Sequence, residues 1–347
     1  MAYISFQPSD FFKNFLYTGN GSATSAHTYP DTTAMQPDMF LVKDRETTYP
    51  FMLMDSVRGA TKYLYTGATN ADATSSTRLK SFDSDGFTIG DDNTINLNAN
   101  DFASWSWKAG TTSGVDFSSG DITPTAYSIN TTSGIGIYHY TCTGANATMV
   151  HGLSSAPKML ITKSLGDTAP WAVWHTGMNP TNYLVLDTTA AEVTGTAMWN
   201  STAPSSSVIS LGSDGQSNGS GKNNIMYAFS DVKGYSAFGA YEGNSNVDGP
   251  FIYTGFRPAM VIIKNIDRSE PWKIWDTKRS PYNTTENTLN VNDDTAQNSS
   301  AVQKLGLYAN GFKVRTTSTE INTSTCVYAA FAEFPLVSSN SKAGVAR

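Results

Sequence analysis

Pro157-Lys158-Met159-Leu160-Ile161-Thr162-Lys163, followed by Trp171-Ala172-Val173-Trp174-His175, is one of three copies of a single pattern. The first copy has Pro37, Met39-Phe40-Leu41-Val42, Lys43 and Phe51-Met52-Leu53-Met54-Asp55. The third has Pro258, Met260-Val261-Ile262-Ile263, Lys264 and Trp272-Lys273-Ile274-Trp275-Asp276. In every copy the proline precedes the lysine by six residues. The lysine precedes the first aromatic by eight and the terminal Asp or His by twelve. Three constant spacings mark an internal repeat, and a repeat of this kind governs the architecture.

The pattern extends outward. A Tyr followed by a Gly/Asn turn stands upstream of each proline: Tyr17-Thr18-Gly19-Asn20, Tyr140 to Gly144, and Tyr241-Glu242-Gly243-Asn244. Downstream, Asp85-Gly86-Phe87 and Asn310-Gly311-Phe312 read as tight hairpin turns that need positive φ. The second copy uses Val208-Ile209-Ser210-Leu211 there instead. Each copy closes with an aromatic strand: Phe102 to Trp107, Ile225 to Phe229, Val327 to Phe331.

Composition agrees with sheet. Aromatic residues make up 12% of the 347 and charged residues only 15%, so Ser, Thr, Asn and Gly fill the polar positions. A single sheet would leave one apolar face wet, so two sheets must pack. The reading is all-β, as three tandem antiparallel β-sandwich repeats of a jelly-roll or concanavalin-like kind, with a three-bladed propeller as geometric competitor. The expected division is an N-terminal segment 1–14, repeat one 15–109, a polar linker 110–133, repeat two 134–232, repeat three 233–337 and a polar tail 338–347.

The lysine-bearing strands are continuous apolar runs, which implies that both faces are covered. The next strand is partly alternating. Met54, Trp174 and Trp275 fall at one equivalent position, on the face opposite the expected core. They are therefore assigned to inter-repeat or inter-chain packing.

The net charge of −6 offers no footprint for nucleic acid. No apolar stretch approaches a membrane span, so no membrane insertion is expected. No secretory signal is evident at the start. Cys142 and Cys326 fall at non-equivalent places and read as free thiols.

The sequence carries few chemical signatures. His27, His139, His151 and His175 lack metal spacing, and no serine-hydrolase elbow or phosphate loop appears. Asp91-Asp92-Asn93 and Asp293-Asp294 do not continue as calcium loops. No cofactor, metal or catalytic residue is assigned. Asp55 and Asp276 are each followed after three residues by Arg58 and Arg279. These read as structural ion pairs with two-pronged guanidinium–carboxylate contacts; ligand binding and carboxylate-pair glycan hydrolysis are the competing readings. The second copy carries His175 and Met178 instead. Tyr49, Tyr282 and Asn283 form a candidate ligand loop.

Phe6-Gln7-Pro8-Ser9-Asp10, Tyr17 to Gly21, Asp55-Ser56-Val57-Arg58-Gly59, Ser84 to Phe87, and Gly234-Tyr235-Ser236 through Gly255-Phe256-Arg257-Pro258 carry a resemblance. They resemble a family of repeated domains in virion proteins of tailed marine phages, met as tail-fibre or uncharacterised structural proteins. The first copy departs from the pattern, with Ala34-Met35 where Gly-Phe is usual. The resemblance implies a non-enzymatic virion structural protein on the particle exterior: a tail-fibre, tail-tip or adhesin component contacting the host surface. It also implies other virion proteins and further copies of the chain as partners, a trimer by family analogy, and host-surface polysaccharide as a further one. Two alternatives stay open: a capsid or tail decoration protein, and a lectin-like carbohydrate-binding module.

Overall fold

The strand Met39–Asp44 is buried at all six positions, because alternate side chains enter two different cores. Phe40 and Val42 enter one apolar cluster, while Met39 and Leu41 enter another. This double burial explains the unbroken apolar run and organises the molecule. The structure, a computed structural model, describes residues 4–31, 33–299 and 302–335.

The chain is all-β with several antiparallel sheets. Its first third supplies β1 (Phe12–Thr18), β2 (Ser25–His27), β3 (Met39–Asp44), β4 (Met52–Asp55), β5 (Lys62–Tyr65), β6 (Ala73–Thr74), β7 (Leu79–Asp83), β8 (Gly86–Ile89), a one-turn helix α1 (Asn93–Asn96) and β9 (Asp101–Trp107). The middle supplies β10 (Ala126–Asn130), β11 (Ile135–Thr141), β12 (Ala147–Val150), β13 (Pro157–Ser164), β14 (Ala172–His175), β15 (Asn182–Val185), β16 (Val193–Thr194), β17 (Val208–Leu211), α2 (Gly215–Asn218) and β18 (Asn223–Ser230). The last third supplies β19 (Ser236–Asn244), β20 (Phe251–Tyr253), β21 (Phe256–Asn265), β22 (Lys273–Asp276), β23 (Leu289–Asn290), β24 (Leu305–Tyr308), β25 (Gly311–Val314) and β26 (Thr323–Pro335).

Three large sheets share one strand order. They run β1-β9-β3-β4-β5-β6, then β11-β18-β13-β14-β15-β16 with β10 added outside β11, then β19-β26-β21-β22-β23. A small sheet accompanies each: β2-β8-β7, β12-β17 and β20-β25-β24. In each segment an apolar cluster joins large sheet to small one, for example Phe40, Met52 and Phe102 with Phe87 and Ile89. The other face of all three large sheets meets in one central cluster. Leu41, Leu53 and Trp105 meet Ile161, Val173 and Tyr227, and both groups meet Met260, Ile274 and Ala329.

Several expectations need correction. Met54, Trp174 and Trp275 lie under their own small sheets, in three separate clusters. The residues one step out of phase, on the same strands or immediately before them, make the inter-segment contact instead: Phe51 and Leu53, Trp171 and Val173, Trp272 and Ile274. Period-two alternation gave the two faces, but the identity of the shared face follows from the small sheet covering the other. The stretch 110–133 is more than a polar linker. Within it β10 pairs with β11, and Phe117 and Ile122 help close the second segment's cluster. The N-terminal boundary at 14 cuts β1, which pairs with β9 from Phe12. The tail 338–347 lies outside the described residues.

The two hairpin glycines have different causes. Gly86 has φ +104°, and a Cβ there would sit 1.9 Å from the His27 carbonyl oxygen. Gly311 lies outside the positive-φ region, but a Cβ there would come within 2.1 Å of the Ile252 carbonyl oxygen. Close approach of the neighbouring strand, not backbone handedness, requires glycine at 311.

Candidate functional site

The sequence singles out a lysine, the aromatic eight residues later and the Asp or His four beyond that. All three groups lie where one segment meets the next. Leu165, Ile266 and Arg45 stand two residues after the three lysines. Their carbonyl oxygens accept backbone hydrogen bonds from the neighbouring segment: from Asp72 at 2.9 Å, Glu192 at 2.7 Å and Gln297 at 2.8 Å. The first of these bonds joins segments one and two, the second two and three, the third three and one, so the set closes a ring.

The aromatic position adds a second bond in the same sense. The Trp171 indole N–H donates to the Tyr65 carbonyl oxygen at 3.0 Å. The Trp272 indole donates to that of Val185 at 3.1 Å. Phe51 has no such donor; there the Thr66 hydroxyl reaches the Val291 carbonyl oxygen at 2.6 Å. Around the ring centre lies an apolar cavity of about 50 Å³, lined by Leu41, Met159, Ile262 and their neighbours.

Each repeated lysine is fully buried and aims its ammonium at carbonyl oxygens of the loop that follows it. Lys43 Nζ donates to Asp44 O (2.7 Å) and Thr47 O (2.8 Å). Lys163 Nζ does so to Ser164 O (2.8 Å) and Asp167 O (3.4 Å). Lys264 Nζ reaches Asn265 O (2.6 Å), Arg268 O (3.1 Å) and, across the joint, Thr189 O (3.2 Å). Burial lowers the pKa of all three to about 8. An ammonium has three donors, which suits a tight turn whose carbonyls have left the sheet ladder.

The Asp/His position differs most between joints. At the first, Asp55 Oδ2 accepts from Arg58 Nε (2.6 Å) and from the Tyr227 hydroxyl of the second segment (2.6 Å). Asp55 Oδ1 accepts from the Arg58 backbone N–H at 2.8 Å. Arg58 continues to Asp72 Oδ1 (2.7 Å) and Leu53 O (3.0 Å). At the third, Arg279 Nε meets Asp276 Oδ2 at 2.5 Å, its backbone N–H meets Oδ1 at 2.8 Å, and its guanidinium lies over the Trp105 ring of the first segment at 5.3 Å. The side-chain contact is thus single-pronged in both pairs, not the expected two-pronged one, because the second carboxylate oxygen is taken by the arginine's own backbone.

Burial opposes the Arg58 charge, but Asp55, Tyr227 and Asp72 together hold its pKa above the ordinary value. Arg279, with Asp276 as its one acidic partner, is pushed below it by burial. At the second joint, His175 Nε2–H donates to the Tyr328 carbonyl oxygen at 3.1 Å, and Nδ1 accepts from Gly177 N–H at 3.0 Å. Both contacts suit a neutral ring, and burial lowers its pKa to about 4.

The other sequence candidates do not converge. Tyr49 is half-buried in the β3–β4 loop, and Tyr282 is 81% exposed between β22 and β23. Asn283 binds both backbone groups of Leu307, at 2.7 and 2.9 Å, and so tethers its loop. Asp92 caps α1 through Thr94 and meets Arg78, and Asp293 holds its own turn through Thr295. Among the described residues no group of three or more His, Cys, Asp and Glu is placed to hold a metal ion. Cys142 and Cys326 are free and buried, each with its pKa pushed up to about 12 by burial. No helix of the described residues is long and apolar enough to cross a membrane. The cross-joint partners Tyr227, Tyr65 and Val185 were missed by sequence reading. The fixed Lys-to-aromatic spacing was their only signal.

No curated protein matches the chain. Among solved structures, a chain titled "Crystal Structure of the STIV MCP" aligns over 65% of this chain and 92% of its own. At 9% identity and a TM-score of 0.17, that likeness carries no argument. A family profile matches residues 7–335, the whole three-segment ring, and the chain belongs to that family, described as "Domain of unknown function (DUF7483)".

Proposed function

We propose that the chain is a structural protein of a phage particle's exterior, a tail-fibre, tail-tip or adhesin component, built from three tandem antiparallel β-sandwich units of jelly-roll or concanavalin-like type. The observation that carries this reading is ring closure. Three units with one strand order share a central apolar cluster. One repeated backbone hydrogen bond joins each unit to the next and the last to the first. Such a block is stiff, and its small sheets all face away from the common core. The particle assignment draws on the phage-like motifs. In this reading other virion proteins, further copies in a trimer and host-surface polysaccharide are its partners, with no nucleic acid, membrane insertion or enzymatic step. Electron microscopy of purified particles labelled with an antibody to this chain tests it: label on an exterior appendage is expected, and unlabelled particles overturn it.

One observation favours carbohydrate binding as a second reading. On the outer sheet of the third unit, Phe251 and Tyr253 are 46% and 57% exposed. Tyr308 lies beside Phe251 at 6.1 Å and accepts from Arg315 at 2.7 Å. The corresponding outer strands of the other units present Ala26 and Thr148. An apolar ring beside tyrosines that carry a polar tip suits a ligand that has one apolar face and one wet one. Binding on a glycan array that Tyr253→Ser abolishes is the expected result; no binding to any glycan rejects this reading.

A further inference from the structure

Lys273 stands where the other segments have an apolar residue. Ile263 pairs with Lys273 in the register where Val42 pairs with Met52 and Thr162 with Ala172. Its side chain shares the face of Trp275, toward the third segment's own cluster, and the residue is 3% exposed. Its cross-strand partner is Asn290, where Met52 faces Tyr65 and Ala172 faces Val185. Both members of the pair have therefore changed together, from two apolar or aromatic residues to an amine and a carboxamide.

Lys273 Nζ lies 3.0 Å from Asn290 Oδ1 and 3.1 Å from Glu320 Oε2. Asn290 Nδ2 donates to Asp293 Oδ2 at 2.8 Å, which fixes the amide plane. Gln303 also reaches Glu320. A plain ion pair accounts for Lys273 and Glu320. It does not account for a carboxamide held against the same amine by a second acid, Asp293. An amine hydrogen-bonded to a carboxamide oxygen, a carboxylate within proton-transfer distance of that amine and an amide whose plane is fixed are the groups that intramolecular acyl transfer requires.

We propose that Lys273 and Asn290 join in an intramolecular isopeptide bond, with Glu320 carrying the proton. The Lys273 ammonium passes a proton to Glu320. The freed amine attacks Asn290 Cγ, forming the new C–N bond. The tetrahedral centre collapses with cleavage of Cγ–Nδ2; Glu320 returns its proton to the departing nitrogen, which also takes one from the lysine amine and leaves as ammonium. Ammonium plus carboxamide become amide plus ammonium, so atoms and charge balance and no oxidant or co-reactant is needed. A polar cleft of about 360 Å³, lined by Lys273, Thr288, Asn290, Thr295 and Gln297, gives the leaving group a path out. The bond staples β23, an edge strand of two residues, to β22.

Intact-mass spectrometry of the folded, purified full chain tests the proposal, with digestion and peptide mapping. The wild-type chain is expected to be lighter than its sequence by one ammonia, with the Lys273 and Asn290 peptides linked. Lys273→Met and Glu320→Gln are expected at their full sequence masses, with the two peptides separate. A wild-type chain at full mass after prolonged incubation overturns the proposal. So does an ammonia loss that persists in Lys273→Met, which places the loss at another asparagine. Should either variant fail to fold, the linked peptide in wild-type digests decides alone.

Discussion

The joint between the first and second segments is ionic; the equivalent joint between the second and third is neutral. At the first, Asp55 and Arg58 are buried together, with Tyr227 reaching across and Asp72 completing the set. At the second, His175 reaches across to a backbone carbonyl, and Met178 stands where the arginine would be. What is kept is a hydrogen bond from one segment to the next at a fixed place on the strand; the charge is dispensable. A buried ion pair is weak evidence of stability, since well-packed neutral groups can replace it at no loss. Removing one partner is another matter. Arg58→Met leaves the buried Asp55 carboxylate without its cation and should cost about 3–5 kcal/mol in urea unfolding. Asp55→His with Arg58→Met, which copies the second joint into the first, should cost clearly less than Arg58→Met alone. If the double variant is the less stable, the two joints are not interchangeable and the comparison breaks.

The neutral joint should announce itself through pH. His175 titrates near 4 in the folded chain, against 6.5 as its ordinary value. The unfolded chain therefore takes up a proton first. The ring's contribution is intact above pH 6.5 and is lost progressively as pH falls through about 4, by about 3 kcal/mol. Burial lowers the pKa of His27, His139 and His151 as well, so the slopes have one sign. Comparing urea midpoints of wild type and His175→Gln across that window isolates the joint: the variant should show the shallower fall. An unchanged slope would mean that His175 is not the neutral bridge described here.

A finer distinction lies at the aromatic position. Trp171 and Trp272 donate to carbonyl oxygens across their joints, but Phe51 fills the same place with no donor. Trp171→Phe should therefore keep the packing and lose about 1–2 kcal/mol, the cost of the unpaired Tyr65 carbonyl. A loss as large as that for Arg58→Met would show that ring volume, and not the hydrogen bond, matters there.

The repeat was legible because constant spacing survives change of residue: Asp to His, Trp to Phe, Arg to Met. Sheet alternation was legible for the same reason, since Trp272 and Ile274 do lie opposite Lys273 and Trp275. Which face met the neighbouring segment was not, because both faces are apolar; the choice depends on the small sheet, formed by residues far along the chain. Stretch 110–133 read as polar linker because its Ser, Thr and Gly outnumber the apolar residues that anchor it, Phe117, Ile122 and Ile129 with Val115 and Tyr127 packed against them. The Lys273–Asn290 pair escaped notice because β23 is only two residues long and carries no strand signal of its own.

The smallest effect belongs to a residue outside all three joints. Tyr282 is the most exposed of the large apolar and aromatic side chains among the described residues and sits on the third segment's β22–β23 connection, which has no close counterpart in the other two. If the joints are where the segments differ in stability, Tyr282→Ser should move the unfolding free energy by no more than about 0.5 kcal/mol, as surface changes generally do. A loss several times larger would mean that the ring leans on this loop. The joint-to-joint comparison would then be measuring only part of what holds the third segment in place.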